Sequence, residues 1–360
     1  MSWLRGKYAR PLALDAFNIG GCIGKGMTGR VYLATHRPTG KQCALKVVVK
    51  ARMLQMDEVD HILAEGDLLA RLRSRFVVPL LGAFQDEHAL YMAFEYAPGG
   101  DMWHHVYRRM KAGRGPLSKD EARYYLAQTV LALESVHEAG AVYRDVKPEN
   151  LLLTADGNLL LADMGFAKVL GPGERTTTIC GTPDYLPPEI ISSRGCSRAC
   201  DLWSLGVLVY EMLCGMAPFK SPTTLQTYTK IAEVGKRGFF QPARWPSAIG
   251  ATARDLITRL LRANENTRLG MGARGFADVK AHPFFAAIKW RELEAGDLVA
   301  PLRPDDAHRA ATSGAKKPPG GHGGAYAWQT EVNRLRPGSP EDLMFAGFPS
   351  VNRFHEGARS

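Results

Sequence analysis

Several features that mark other protein classes are scarce in this chain. It has no run of 18 apolar residues, which excludes a membrane-spanning helix. Its start lacks the apolar core of a signal peptide, and Ser2 stands where a myristoylation motif needs Gly. The expected location is therefore intracellular, cytoplasmic or nuclear. There are 6 cysteines and no CxxC pair among them. Cys196 and Cys200 lie four apart, but no His or Cys pair at metal-ligand spacing follows them. That pattern argues against a zinc site or a disulfide scaffold and for reduced, mostly buried thiols. The basic excess, net +10, is spread along the chain without a long basic block or an aromatic-interleaved basic strand. Nucleic acid is accordingly not an expected partner. No internal repeat occurs. What remains is ordinary globular composition over 360 residues, 45% hydrophobic and 23% charged, enough for one large two-lobed enzyme or two modest domains.

The first part of the chain reads as strands with one helix. Phe17–Ile23, Arg30–His36 and Lys41–Val49 are short and rich in apolar or β-branched residues, and Pro38-Thr39-Gly40 supplies a turn. Helical spacing of Val59, Ile62, Leu63, Leu69 and Leu72 predicts a helix from about Asp57 to Leu72. Strand patterns resume at Val77–Phe84 and Leu90–Tyr96, and Pro98-Gly99-Gly100 breaks the chain. Beyond that point the pattern turns helical. Ser118-Lys119-Asp120-Glu121 is a capping-box sequence opening a long amphipathic stretch that stops at Gly140. Asp201–Leu213 and Thr252–Leu261 also read as helices, and Pro, Gly, Ala and Lys dominate from Pro301 to Gly324.

Chemistry is carried by motifs in a fixed order. Gly24-Lys25-Gly26-Met27-Thr28-Gly29-Arg30-Val31 is a G-x-G-x-x-G-x-V element, whose glycines let the backbone approach phosphate oxygens. Alone it is weak, because a dinucleotide fingerprint looks similar. Here, however, it lies between two strands rather than between a strand and a helix. Cys43-Ala44-Leu45-Lys46 follows on the third strand and resembles V-A-I-K. An inward Lys in an apolar strand needs a partner, and Glu65 on the predicted helix is the natural one. The most specific signal is Tyr143-Arg144-Asp145-Val146-Lys147-Pro148-Glu149-Asn150, which matches H-R-D-x-x-x-x-N with Tyr for His. Asp145 would accept the substrate hydroxyl proton, Lys147 would stand near the transferred phosphoryl, and Asn150 would ligate magnesium. Asp163-Met164-Gly165 then takes the D-F-G position, with Asp163 as the second magnesium ligand. Such a set supplies acceptors for hard cations, a cationic clamp and a positioned base.

On these motifs the chain resembles the AGC-class serine/threonine protein kinases, nearest to the cyclic-nucleotide-dependent group. The resemblance covers roughly Phe17 to Trp290, with a weaker match in the tail. It implies an α+β, bilobal kinase fold: an N-terminal extension (1–16), a small β-rich lobe with one regulatory helix (17–94), a larger, mainly helical lobe (95–285) and a C-terminal tail (286–360), flexible at about 301–324. It implies ATP and Mg2+, two ions, as cofactors. Ile23, Ala44, Glu95, Ala97 and Leu152 join the Gly loop, Lys46 and Glu65 as ATP-binding residues, with Phe94 at the gatekeeper position. Asp201, Glu189 and Arg268 match residues that hold the fold.

The resemblance also implies regulation and substrate choice. Thr178 sits at the activation-loop phosphosite, with His61, Arg144 and Lys168 to receive the phosphate. Asp101, Glu149 and Glu211 stand where carboxylates select basic residues upstream of the target, and Ile179, Pro183 and Leu186 would line an apolar pocket for the residue after it. Expected partners are protein substrates with upstream Arg, and an upstream activating kinase or an inhibitory regulatory subunit. Asp101 is a methylene shorter than the usual Glu. In the tail, Phe345 and Phe348 resemble the hydrophobic motif that docks on the small lobe, but Pro349 occupies the phosphoacceptor position. Tyr326 and Trp328 are candidates for aromatics tethered at the active site. The competing reading is a pseudokinase scaffold that binds nucleotide without transfer. It is disfavoured because the strand Lys, the catalytic Asp and both magnesium ligands are all present.

Overall fold

The computed structural model describes residues 12–26, 28–171, 173–242, 245–304, 326–329 and 333–354. The chain separates into two units. One comprises Met1–Leu72, Val78–Pro98 and Asp305–Ser360, and the other Arg73–Val77 and Gly99–Pro304. The first is built on β1 (Phe17–Lys25), β2 (Arg30–His36), β3 (Gln42–Val49), β4 (Leu80–Gln85) and β5 (Ala89–Glu95), joined by β10 (Val351–Asn352) from the tail. Their order is β1-β2-β3-β5-β4-β10 and every neighbouring pair is antiparallel.

Period-two alternation decides which face each side chain takes. Cys43, Leu45 and Val47 of β3 join Tyr32, Ala34, Tyr91 and Ala93 in one buried cluster. Lys46 therefore points to the opposite face, paired in register with Val31 and Met92. Trp328 and Phe354 of the tail complete the cluster. The Trp328 Nε1–H donates to Tyr91 Oη at 3.2 Å, and its ring stacks on Tyr326 at 4.7 Å. Trp328 is thus a core residue of the sheet unit, and Tyr326 packs against that core.

The helix predicted from Asp57 to Leu72 is α2 (Val59–Arg71), and a further helix, α1 (Lys50–Met56), precedes it. The break is Asp57, whose φ of +56° is the left-handed conformation that ends α1. The strand expected from Val77 begins instead at Leu80, since Pro79 offers no N–H to the ladder. Phe345 and Phe348 are buried within the same unit, and Phe348 and Pro349 lie so close to Gly66 of α2 that a Cβ there would meet both at 3.0 Å. Lys50, itself buried, pairs with Asp342 at 2.8 Å and lies over the Phe345 ring.

The second unit is mainly helical: α3 (Met102–Lys111), α4 (Lys119–Glu138), α5 (Pro188–Ile191), α6 (Ala199–Cys214), α7 (Thr224–Arg237) and α8 (Ala251–Leu260), with further short turns. The Ser118–Glu121 capping box forms in both directions at the start of α4. Helix α6 is apolar nearly all round and buried along most of its length, as a central core helix must be. It ends at Gly215 in the left-handed conformation. Four short strands follow α4: β6 (Ala141–Val142), the β7 (Leu151–Leu153) and β8 (Leu159–Leu161) hairpin, and β9 (Lys168–Val169), which pairs back on β6. These strands hold the loop Tyr143–Asn150. The six cysteines are free, with Cys43, Cys196 and Cys200 buried. Of the segment expected to be flexible, 301–324, residues 305–324 lie outside the described residues. Its start is fixed, since the Leu302 N–H donates to Tyr125 Oη at 3.2 Å. Among the described residues, no helix is long and apolar enough to cross a membrane.

Candidate active site

The predicted residues fall into two groups, one in each unit. In the sheet unit, β1 continues through Gly24 and Lys25, and Gly26 N–H donates to Gly29 O at 2.8 Å to close the turn into β2. Met27 at the tip lies outside the described residues. Gly29 is required by packing: a Cβ there would sit 2.4 Å from the Val47 carbonyl oxygen. Thr28 precedes it, Arg30 and Val31 follow it in β2, and Ile23 is half-buried on β1. Lys46 Nζ lies 2.6 Å from Glu65 Oε1, with both side chains almost fully buried. Ala44 pairs with Phe94 across the sheet, Glu95 ends β5, and Ala97 is buried just beyond it. His61, expected to receive the activation-loop phosphate, sits in this unit with its Nδ1 2.5 Å from Glu58 Oε2.

The second group is built on the loop Tyr143–Asn150 of the helical unit. Asp201 in the first turn of α6 is fully buried and anchors that loop. Its Oδ2 accepts from Tyr143 N–H at 2.9 Å and from His137 Nε2 at 2.7 Å, and its Oδ1 accepts from Arg144 N–H at 2.8 Å. These bonds hold Arg144 at a φ of +69°, a conformation an L residue rarely adopts unaided. Gly181 approaches the same turn from the activation segment. A Cβ at its φ of +95° would lie 2.7 Å from Arg144 O.

Asp145, next in the chain, is 4% exposed. Lys147 Nζ lies 2.8 Å from its Oδ2, and Asn150 Nδ2 donates to the same oxygen at 2.8 Å and to the Asp145 carbonyl at 2.9 Å. Burial pushes the Asp145 carboxyl above the usual carboxylate range, and Lys147 and Asn150 hold that rise in check. Thr182 Oγ1 lies 3.5 Å from Asp145 Oδ1 and accepts from Lys147 Nζ at 3.2 Å. Asp163 is exposed at a φ of +56°, its Oδ1 accepting Gly165 N–H, while Met164 beside it is buried. The Asn150 amide nitrogen is committed to Asp145, so its oxygen is the end that can take a cation. Asn150 and Asp163 each offer an oxygen donor of the kind magnesium takes.

The fold-holding residues pair as expected. Arg268 binds Glu189 bidentately, at 2.7 and 2.9 Å, in a fully buried setting. Thr178 is exposed in the activation segment and lines a small cavity with Arg144 and Cys180. The Arg144 guanidinium meanwhile donates to Phe166 O and to Thr176 Oγ1. Lys168 lies on β9, paired with Val142.

Among the specificity candidates, Asp101 forms a bridge with Leu152, the nucleotide-site candidate on β7. The Glu149 and Glu211 carboxyls are both raised by desolvation. Lys147 opposes the rise at Glu149, and at Glu211 the hydroxyl of buried Tyr185 opposes it by donating at 2.5 Å. Ile179 is 62% exposed, Pro183 half-buried, and Leu186 packs in a core cluster with Val142 and Ile190. Sequence reasoning missed Thr182, His137 and the pairing of His104 with Asp101. Their partners lie far off in sequence or, for His104, belong to a cap geometry that spacing does not reveal.

Most of the chain is similar to known proteins. The protein kinase domain family matches residues 17–285. The chain is 39% identical over 295 residues to serine/threonine-protein kinase gad8 of Schizosaccharomyces pombe, covering 82% of this chain and 49% of that protein. It is 41% identical over 291 residues to a cAMP-dependent protein kinase catalytic subunit of Dictyostelium discoideum, covering 81% and 43%. It is 36% identical over 305 residues to serine/threonine-protein kinase YPK1 of Saccharomyces cerevisiae, covering 84% and 43%. The chain thus spans less than half the length of each of these relatives, all of them AGC-class kinases.

Proposed function

The chain belongs to the protein kinase family, and on that premise we propose that it moves the γ-phosphoryl of ATP to Ser or Thr hydroxyls of protein substrates. The observation that carries the proposal is the environment of Asp145. A base for a hydroxyl proton must be ionised, oriented and basic enough to take the proton. Burial raises this carboxyl, Asn150 fixes its plane, and Thr182 and Lys147 bracket it. In this reading Lys147 neutralises charge on the transferred phosphoryl, and Lys46, held by Glu65, engages the α and β phosphates. Asp163 and Asn150 are the residues that would hold two magnesium ions, whose chemistry is to neutralise charge on the phosphate oxygens. The Gly24–Val31 turn, with Ala44, Glu95, Ala97 and Leu152, makes up the remaining nucleotide-binding set.

The same reading assigns Asp101, Glu149 and Glu211 to basic residues upstream of the phosphorylated one. The supporting observation is that both Glu149 and Glu211 are raised by desolvation, with Asp101 pressing on Glu149 and Glu149 on Glu211, as acids awaiting a cation are. Phosphorylation of Thr178 by an upstream kinase would switch the activity on, with Arg144 as receiver, and an inhibitory subunit is a second candidate regulator.

The test is transfer of labelled γ-phosphate from ATP with Mg2+ to peptides of the form Arg-Arg-x-Ser followed by an apolar residue, with an array for preference. Labelled phosphoserine and an upstream Arg preference are expected. A profile favouring acidic or proline-directed sites would overturn the substrate assignment, and absence of transfer would overturn the proposal itself.

A further inference from the structure

We infer that His104 sets how strongly Asp101 selects an upstream arginine, by occupying the Asp101 carboxylate until a substrate guanidinium displaces it. The inference rests on the reading of Asp101 as a substrate-binding acid. It begins with the start of α3, where Asp101 is the N-cap. Its Oδ1 accepts the backbone N–H of His104 at 2.9 Å. Its Oδ2 lies 2.7 Å from Nδ1 of the same residue's ring. One histidine therefore takes both oxygens, one through the backbone and one through the imidazole.

A guanidinium recognises a carboxylate best with two parallel N–H bonds, one to each oxygen. That geometry is not open at Asp101 while the imidazole is seated. The cap bond belongs to the helix and stays, so the ring is what an incoming Arg must move. The ring is placed to move: the His104 side chain is 50% exposed against 20% for Asp101. Trp103 meets the imidazole edge-on at 5.0 Å and itself stacks on Tyr107, which gives the seated ring a second support.

What favours displacement is the second acid. Asp101 raises the Glu149 carboxyl by repulsion, so the two charges feel each other. A guanidinium seated at Asp101 relieves that repulsion with a permanent, delocalised charge and a fork of donors. A lysine ammonium offers a single point charge and competes less well with the imidazole. His104 thereby acts as a threshold: it weakens binding of every upstream cation and weakens it most for those that cannot make two bonds. Asp101 is also a methylene shorter than Glu, which keeps its carboxylate close enough to α3 for its own third residue to reach it.

The experiment compares kcat/KM for three peptides that differ only in the residue three before the target Ser, namely Arg, Lys or Leu. Relative to wild type, His104→Ala should raise the Arg-to-Leu ratio about fivefold, the size of one part-exposed charged contact. The Lys-to-Leu ratio should rise more than the Arg-to-Leu ratio, because Lys meets the threshold least well. His104→Gln, which can still donate to Oδ2, should fall between. Unchanged ratios in His104→Ala, or equal changes on all three peptides, overturn the inference, since loss of a merely structural residue moves all peptides together. Asp101→Asn separates the two levels, because Asn keeps the helix cap but not the charge. If that variant retains the wild-type Arg preference, the assignment of Asp101 fails and the inference with it. If the preference collapses in Asp101→Asn while His104→Ala leaves the ratios unchanged, the assignment stands and the threshold alone is refuted.

Discussion

Asp201→Asn offers the sharpest test of how the helical core sets up the catalytic loop. The wild-type carboxylate is fully buried and accepts three hydrogen bonds, from Tyr143 N–H, Arg144 N–H and the His137 ring. An amide has one oxygen. If that oxygen stays with Tyr143 and His137, the NH2 group faces the Arg144 N–H, formerly 2.8 Å from the carboxylate, donor against donor. The variant loses one charge-assisted bond, about 1.5–3 kcal/mol, and leaves a buried donor unpaired at about 1–3 kcal/mol more. A total of about 3–5 kcal/mol corresponds to a fall in Tm of roughly 10 °C for a unit of this size. The functional effect is separate. Arg144 at a φ of +69° loses the bond that holds it there, and Asp145 is the next residue. A displacement on the order of 1 Å at a catalytic group lowers the rate by about a hundredfold. Thermal melts and phosphate transfer on one preparation measure both. A variant within about 2 °C and about twofold of wild type would refute the claim that Asp201 positions the loop.

Other outcomes follow from the same geometry. Trp328→Ala should destabilise the sheet unit by about 3–5 kcal/mol, because the ring is 6% exposed and packs between Tyr32 and Tyr326; a melt within about 1 °C of wild type would contradict its place in that core. Burial raises the Glu211 carboxyl in the folded state, so the native protein holds a proton that the unfolded chain has released, and stability falls as pH rises through that range. Glu211→Gln keeps an acceptor for the Tyr185 hydroxyl, so it should melt higher than wild type at neutral pH. That advantage should shrink as pH falls toward the carboxylate range, and a pH-independent difference would exclude burial of the charge as its cause. Thr178→Ala should lower turnover by at least about tenfold in protein isolated from cells, and wild-type turnover in that variant would remove Thr178 as the switch.

Much of this arrangement was readable from the residues, and the exceptions have physical reasons. Strand alternation placed Lys46 opposite the apolar cluster of Cys43, Leu45 and Val47, so its pairing with Glu65 followed from the need to neutralise a buried cation. The Ser118 capping box and the loop around Asp145 are local patterns, and the structure keeps them where the sequence puts them. Helix α1 was not legible, because its boundary is a single left-handed Asp57 that no periodicity announces. Trp328, with Tyr326 a tether candidate by resemblance, donates to Tyr91, a contact across 237 positions in sequence. Thr182 beside Asp145 and His104 on Asp101 escaped notice for a related reason. Which hydroxyl or ring meets a carboxylate depends on how a loop closes, and composition carries no record of that closure.

The central claim is that Asp145 performs the proton transfer of a phosphoryl-transfer reaction while contributing little to nucleotide binding. Asp145→Asn tests it most directly, with labelled phosphate transfer to a basic Ser peptide measured beside the thermal shift induced by ATP and Mg2+. Transfer should fall by about a thousandfold while the nucleotide-induced shift persists. Transfer by the variant at the wild-type rate, or no transfer by the wild-type chain, would contradict it.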